Sequence, residues 1–169
     1  MLDRVECMFL STLPPAPTPE AQSQVNMLHQ VAMYPDAFRL CCFYFPADYR
    51  LFAKHALLNK YYDDARVGSV ESIIISDYIA ELLDAIHAGN WLTAMKHYIE
   101  PDILVVDDLE LICSKESTQE SFYVNVLKPR LEAKKLTILF SEYPYTELAV
   151  TLRDDLRSLL RLGDHEEDT

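Results

Sequence analysis

Four short apolar runs, each followed by a stretch of helical periodicity, are the feature that most restricts the fold. The runs are FRLCCFYF at 38–45, VESIIIS at 70–76, ILVV at 103–106 and KLTILF at 135–140. Strands that are apolar on both faces are typical of a parallel sheet buried between helices and joined by right-handed crossovers. The sequence therefore predicts an α/β domain with a mainly parallel sheet of four to five strands and helices on both faces.

Helix signals fill the segments between these runs. Thr18 followed by Pro19 is typical of an N-cap and a first helical position, which predicts a helix to about Met33. Ser76 is expected to cap the helix after the second run, and that helix is expected to end at Gly89. The other predicted helices span 49–62, 91–99, 117–133 and 146–161.

Capping and periodicity predict finer details of these helices. Ser117 and Glu120 have the spacing of a capping box, and Pro129 is expected to distort the later turns of their helix. Apolar residues at helical spacing are expected to face the sheet. The predicted inward sets are Leu51, His55, Leu58 and Tyr62; Ile79, Leu82, Leu83 and Ile86; and Ala149, Leu152, Leu156 and Leu159.

The two ends of the chain differ from the alternating part. Residues 1–18 are expected to form a short edge strand at Val5 to Leu10 and a stiff proline-rich connector, and 164–169 an acidic tail. The core domain is predicted to span 19–163. Acids interrupt the first apolar stretch and no apolar run approaches 18 residues, so neither a signal peptide nor a membrane span is expected. Cysteines inside apolar runs favour the reducing cytoplasm, and the absence of a CxxC pair argues against zinc.

Composition excludes several function classes. Only three glycines are present, so the glycine-rich loops that cradle phosphates are absent and no bound cofactor is expected. The formal net charge is −12, which disfavours direct binding to nucleic acid because a polyanion is repelled.

A pair of acids ends the third apolar run, at Asp107 and Asp108. In nucleotide hydrolases, a carboxylate at the end of a buried strand holds Mg²⁺ and a neighbouring one can polarise water. The alternative is a structural remnant that accepts backbone N–H bonds, for which Asp107→Asn would change stability by at most about 1–2 kcal/mol. The sequence leaves both interpretations open.

Four segments carry a resemblance to a known family. They are ILVVDDLELI at 103–112, KESTQESF at 115–122, LTILFSE at 136–142 and DLRSLLRLG at 155–163. In order and spacing they are similar to the AAA+ domain of the bacterial replication initiator DnaA family. The resemblance extends more faintly over 19–163 and implies an AAA+ core of the P-loop NTPase type without a lid.

The same resemblance implies roles for individual residues. Asp107 and Asp108 match the Walker B acids, and Glu142 matches the sensor-one position. The arginine finger matches Leu159, which lies between Arg157 and Arg161. The phosphate-binding loop would follow the first strand, but FPADYR at 45–50 has neither a glycine nor a Lys-Ser/Thr pair. The chain also ends where the family continues into a last core strand and a lid.

These departures lead to the functional hypothesis of a non-catalytic DnaA-like module that acts by protein–protein contact, with an AAA+ initiator, helicase or loader as partner. Arg153, Arg157 and Arg161 recur every four residues and form a candidate interaction face, or simply a solvated helix face. The alternatives are an ATPase-dead clamp-loader-like subunit and a Mg²⁺-dependent phosphoester hydrolase.

The hydrolase alternative depends on carboxylates that end neighbouring strands. Asp107, Asp108 and Glu142 are expected to lie together at the carboxyl edge of the sheet, because parallel strands end at the same edge. Crowded carboxylates repel one another unless a cation compensates them. Arg50, which follows the first strand, is the nearest candidate for that cation.

Overall fold

The computed structural model describes residues 8–162, which form a four-stranded parallel sheet in the order β1-β4-β3-β2. The strands are β1 Leu40–Tyr44, β2 Val70–Ile74, β3 Ile103–Asp107 and β4 Leu136–Ser141. The helices are α1 Pro19–Met33, α2 Ala47–Asp63, α3 Ile75–Ala88, α4 Trp91–Ile99, α5 Glu116–Phe122, α6 Lys128–Glu132, α7 Tyr145–Leu148 and α8 Asp154–Leu162. The predicted fold class is confirmed.

Helices cover both faces of the sheet. One hydrophobic cluster joins α1 and α2 to one face, and a second joins α3, α4, α5 and α8 to the other. Every residue of β3 and β4 is buried, as their continuous apolar sequence predicts. Within the described chain, no helix combines the length and apolar character that a membrane span requires.

Several predicted boundaries are confirmed. Helix α1 begins at Pro19, and the Thr18 hydroxyl accepts a hydrogen bond from the Ala21 N–H at 3.1 Å. Helix α3 ends at Gly89, whose φ of 74° lies in the left-handed region that glycine adopts without strain. Helix α4 has the predicted bounds, with Met95 and Tyr98 buried.

The predicted N-terminal strand is wrong where it can be observed. Met8 and Phe9 have no regular structure, and Leu10–Thr12 form a 3₁₀ turn closed by the Thr12 hydroxyl, which accepts from the Phe9 N–H at 3.1 Å. Val5 to Cys7, like the tail at 164–169, lie outside the described residues.

Two predicted caps are also wrong. Ser76 lies inside α3, because the chain passes from Ile74 of β2 directly into the helix. Ser117 lies inside α5, whose N-cap is Lys115. The predicted distortion is present as a wide π turn at Tyr123–Leu127, just before Pro129, which has no N–H for the helical ladder.

The last predicted helix is two helices. Residues 149–153 separate α7 from α8, and the buried stripe of α8 is Leu156 and Leu160, with Leu159 only partly buried. In α2, the predicted inward residue Tyr62 is 61% exposed, whereas Ala53, Leu57 and Tyr61 are buried. The buried face of α2 is therefore rotated from the predicted one, and it also includes the cations Arg50 and Lys54.

A buried arginine closes the amino-terminal edge of the sheet. Arg130 of α6 is fully buried, and its guanidinium donates to the Thr137 hydroxyl at 2.8 Å. It also donates to backbone carbonyls, with distances of 3.2 Å to Tyr98, 3.1 Å to Ile99, 2.7 Å to Pro101 and 2.7 Å to Leu136. Burial lowers the pKa of Arg130 to about 10, so the side chain is charged at neutral pH.

The buried Tyr61 hydroxyl makes the fold sensitive to alkali. It donates to the Val31 carbonyl at 2.9 Å, and burial, with a smaller effect of Cys41, raises the pKa of Tyr61 above its usual value of 10. The folded chain therefore keeps a proton that the unfolded chain loses above pH 10. This contribution to stability is complete below pH 10 and is lost as pH rises toward the folded pKa.

We therefore expect Tyr61→Phe to make the free energy of unfolding fall less steeply above pH 10, by at most about 1.4 kcal/mol per pH unit. Urea unfolding measured at successive pH values between neutrality and the alkaline range checks this slope. Tyr62→Phe, at an exposed position one residue away, is the matched control. Equal slopes for the two variants would contradict the assignment.

Candidate functional site

The turn between β1 and α2 determines what can bind at the carboxyl edge of the sheet. Only Phe45 and Pro46 separate the strand from the helix. The Phe45 ring is fully buried and stacks on Phe43 with centroids 5.8 Å apart, and it also packs on Tyr49 at 5.3 Å. An aromatic cluster therefore occupies the position where a phosphate-binding loop would expose backbone N–H groups.

The Arg50 guanidinium lies at the centre of a carboxylate cluster at this edge. It extends from the first turns of α2, and the residue is 8% exposed. Its ion-pair distances are 3.1 Å to Asp107 (Nε to Oδ1), 3.1 Å to Asp108 (Nη2 to Oδ1), 3.5 Å to Glu110 (Nη1 to Oε1) and 3.7 Å to Glu142 (Nη1 to Oε2). The structure thus brings together the three carboxylates and the cation that the sequence places at one edge.

A second cation from α2 completes the neutralisation of Asp107. Lys54 is one helical turn beyond Arg50, and its ammonium contacts the Asp107 Oδ2 at 2.8 Å. The other oxygen of Asp107 also accepts the backbone N–H of Asp108 at 2.8 Å. Asp108 has a φ of 58°, which turns the chain sharply at the end of β3.

Glu110 belongs to the same cluster, although the sequence analysis did not single it out. Its Oε2 accepts hydrogen bonds from the Ser141 hydroxyl at 3.1 Å and from the Glu142 N–H at 3.3 Å. It therefore joins the turn after β3 to the end of β4. The signal available in the sequence was the position of Glu110, two residues after the paired acids.

These contacts do not fit the magnesium and nucleotide that the fold family implies. Both oxygens of Asp107 already contact cations of the chain, and the first turn of α2 presents the carboxylate of Asp48. Within residues 8–162, no group of three or more His, Cys, Asp or Glu side chains is arranged to hold a metal ion. The site is therefore an internal ion-pair cluster.

Asp107 contributes more to this cluster than a loop-holding remnant would. Besides the one backbone N–H, it balances both buried cations. We therefore replace the sequence-based limit of about 1–2 kcal/mol for Asp107→Asn by an expected loss of about 2–4 kcal/mol, because Lys54 would be left buried without a full counter-charge.

The candidate arginine face is largely paired within the chain. Arg153 precedes α8 and contacts Glu120 at 3.4 Å and Asp155 at 3.3 Å. Arg157 contacts Asp154 at 3.2 Å. Arg161 is exposed near the end of α8 and forms no ion pair with another described residue. The three arginines do not lie on one helix, and their role in binding stays a prediction.

Together, the fold and this edge define a class: an AAA+-type α/β domain in which the acids at the end of β3 are paired with cations of the chain itself. Comparison with known proteins identifies the family. The profile of the bacterial DnaA ATPase domain matches residues 41–165, and the chain belongs to that family. The chromosomal replication initiator protein DnaA of Symbiobacterium thermophilum is 29% identical over 109 residues, which cover 64% of this chain and 23% of the initiator.

Two solved structures show the same fold. A replication initiator DnaA bound to AMPPCP and single-stranded DNA has a TM-score of 0.74 at 17% identity, covering 89% of this chain and 49% of that chain. The DnaC helicase loader has a TM-score of 0.73 at 17% identity, covering 96% of this chain and 97% of that chain. The present chain thus spans about a quarter of the initiator that it matches in sequence and nearly all of the solved loader chain.

Proposed function

We propose that this chain is a non-catalytic DnaA-like module that works by protein–protein contact in the initiation of DNA replication. The observation that carries the proposal is the position of Arg50 and Lys54 against the Walker-B-like Asp107. A bound Mg²⁺–nucleotide would have to displace both buried cations, and the two-residue turn Phe45-Pro46 supplies no backbone cradle in return. An AAA+ fold without its nucleotide site retains its surfaces for binding.

The proposed partner is another AAA+-type replication protein, an initiator, a helicase or a loader. The similarity to an initiator and to a helicase loader supports this class of partner. The net charge of −12 disfavours binding to nucleic acid, so we propose that the module binds no DNA directly and acts in the cytoplasm. Among residues 8–162, no contact favours the phosphoester hydrolase, because its three carboxylates face Arg50.

Co-purification with candidate replication proteins of the same cell, with and without ATP, tests this proposal. We expect one AAA+-type protein to be retained equally in both conditions. The double variant Arg157→Glu, Arg161→Glu is expected to weaken retention at physiological salt if the arginine face takes part, whereas Lys96→Glu, at an exposed position of α4, is not. Retention that requires ATP, or retention of none of these proteins, would contradict the proposed function.

A further inference from the structure

An apolar groove runs between α3 and α5 on the face of the domain opposite α1 and α2. Its volume is about 620 Å³. The α3 wall is apolar, and the α5 wall carries small hydroxyl and amide side chains. Ile79, Leu83 and Ile86 of α3 and Trp91 of α4 line the apolar side, and Lys115, just before α5, lies on the polar side.

The α3 wall is the part of the predicted inward stripe that the sheet does not cover. Leu83 is 52% exposed and Ile86 is 55% exposed, although the sequence pattern predicts both to be buried. The sheet takes Ile75, Tyr78 and Ala85 instead. When the apolar stripe of a helix is wider than the part that packs on the domain's own core, the exposed remainder is typical of a surface that binds another protein.

The charges around the groove indicate the chemistry of that protein. Lys115 is the single charged residue among those that line the groove, and none of the acids of α3 and α5 lines it. In a chain with a net charge of −12, this leaves an apolar surface with one cation at its mouth. A complementary surface is therefore apolar with a carboxylate placed to pair with Lys115.

These observations favour a protein helix over the other candidate occupants. A second copy of this chain that docked groove to groove would bring a second Lys115 and no groove-lining carboxylate to pair with it. A nucleic acid strand in the groove would contact one cation, Lys115, on a chain whose net charge of −12 repels it. An amphipathic helix can place an apolar stripe against Ile79, Leu83 and Ile86, which are spaced at i, i+4 and i+7 along α3.

We propose that the groove between α3 and α5 is a docking site for an amphipathic helix of the partner, with an apolar stripe and an acidic flank that pairs with Lys115. This inference rests on the proposed function, since it names the surface by which the module would bind another protein.

Trp91 is a built-in reporter of this docking. It is the only tryptophan of the chain, it lines the groove, and it is 39% exposed. A helix that covers it removes water from the indole and shifts its emission to shorter wavelength. Binding can therefore be followed on the full chain without a label.

The probes are two designed amphipathic peptides of about 16 residues, long enough to form a helix on binding. They share a leucine stripe and have no tryptophan, and one has glutamates and the other lysines on its polar face. We expect the glutamate peptide to shift Trp91 emission and to bind at least about tenfold more tightly than the lysine peptide. Single-stranded oligothymidylate is titrated in parallel and is expected to give no shift.

Matched variants locate the site. Leu83→Asp is expected to weaken the glutamate peptide at least about tenfold, whereas Val150→Asp, at a position 80% exposed and outside the groove, is expected to leave its affinity unchanged. Lys115→Glu is expected to reverse the peptide preference, and Lys96→Glu, the same charge change on exposed α4, is not. All four substituted positions are exposed, so we expect the variants to fold, and far-UV circular dichroism checks this.

Three results would overturn the proposal: no shift with either peptide, tighter binding of oligothymidylate, or a dimer in sedimentation equilibrium that Leu83→Asp dissociates. Each of them removes the groove as a helix-docking site and leaves the non-catalytic module in place. The proposed function is tested by other experiments: it would fail if the chain bound a nucleotide or if retention of its partner required ATP.

Discussion

Replacing Arg130 by methionine is expected to lower the free energy of unfolding by about 3–5 kcal/mol, the largest loss of any single substitution considered for this chain. Methionine keeps most of the volume but removes the donors that satisfy the Thr137 hydroxyl and the buried carbonyls around it. Each buried acceptor left without a donor costs about 1–3 kcal/mol. Urea unfolding of the two proteins at neutral pH measures the difference.

Two controls separate the hydrogen bonds from the charge. Arg130→Lys keeps the charge but cannot reach all the carbonyls at once, so an intermediate loss is expected. Arg161→Met removes an exposed arginine that forms no ion pair with another described residue and is expected to change stability by less than about 0.5 kcal/mol. A loss below about 1 kcal/mol for Arg130→Met would show that the carbonyls find other donors.

The second large effect is expected for Arg50→Met, with a loss of about 2–4 kcal/mol at neutral pH. The substitution leaves four carboxylates close together with only Lys54 to balance them. Their mutual repulsion makes the variant, unlike the wild type, a candidate to bind a divalent cation. We therefore expect Mg²⁺ at about ten times its dissociation constant to restore about 1.4 kcal/mol in the variant and to leave the wild type unchanged.

Lys60→Met is the matched control, because it removes a cation from the same helix at a more exposed position, 34% by side chain. We expect a change below about 1 kcal/mol and no response to Mg²⁺. Thermal unfolding with Mg²⁺ or with the same ionic strength of NaCl distinguishes binding from screening. An Arg50→Met variant as stable as the wild type would contradict the role given to this guanidinium.

The strand pattern predicted most of the architecture, because buried parallel strands are continuous apolar runs. The same reasoning placed Asp107, Asp108 and Glu142 at one edge and proposed Arg50 as their cation, since the ends of parallel strands and the helix that follows β1 must meet there. These inferences need only the order of elements along the chain. They do not depend on the rotation of any helix.

The errors concern features that depend on tertiary packing. Leu83 and Ile86 satisfy the periodicity of a buried stripe, but the core of the domain leaves both more than half exposed. Lys54 was not predicted to be buried, because its burial requires the carboxylate of Asp107, which is distant in sequence. Ser76 and Ser117 have capping sequences, yet the chain enters both helices one or more residues earlier.

Isothermal titration calorimetry of the unmodified chain with ATP and with ADP, each with Mg²⁺, tests most directly whether Arg50 and Lys54 take the place of a bound nucleotide in this DnaA-like domain. The turn Phe45-Pro46 offers no phosphate cradle and Asp107 is already neutralised by Arg50 and Lys54. We therefore expect no binding of either nucleotide at submillimolar concentration. For comparison, a dissociation constant of about 1 μM would correspond to a binding free energy of about −8 kcal/mol. A micromolar dissociation constant for either nucleotide would contradict the account.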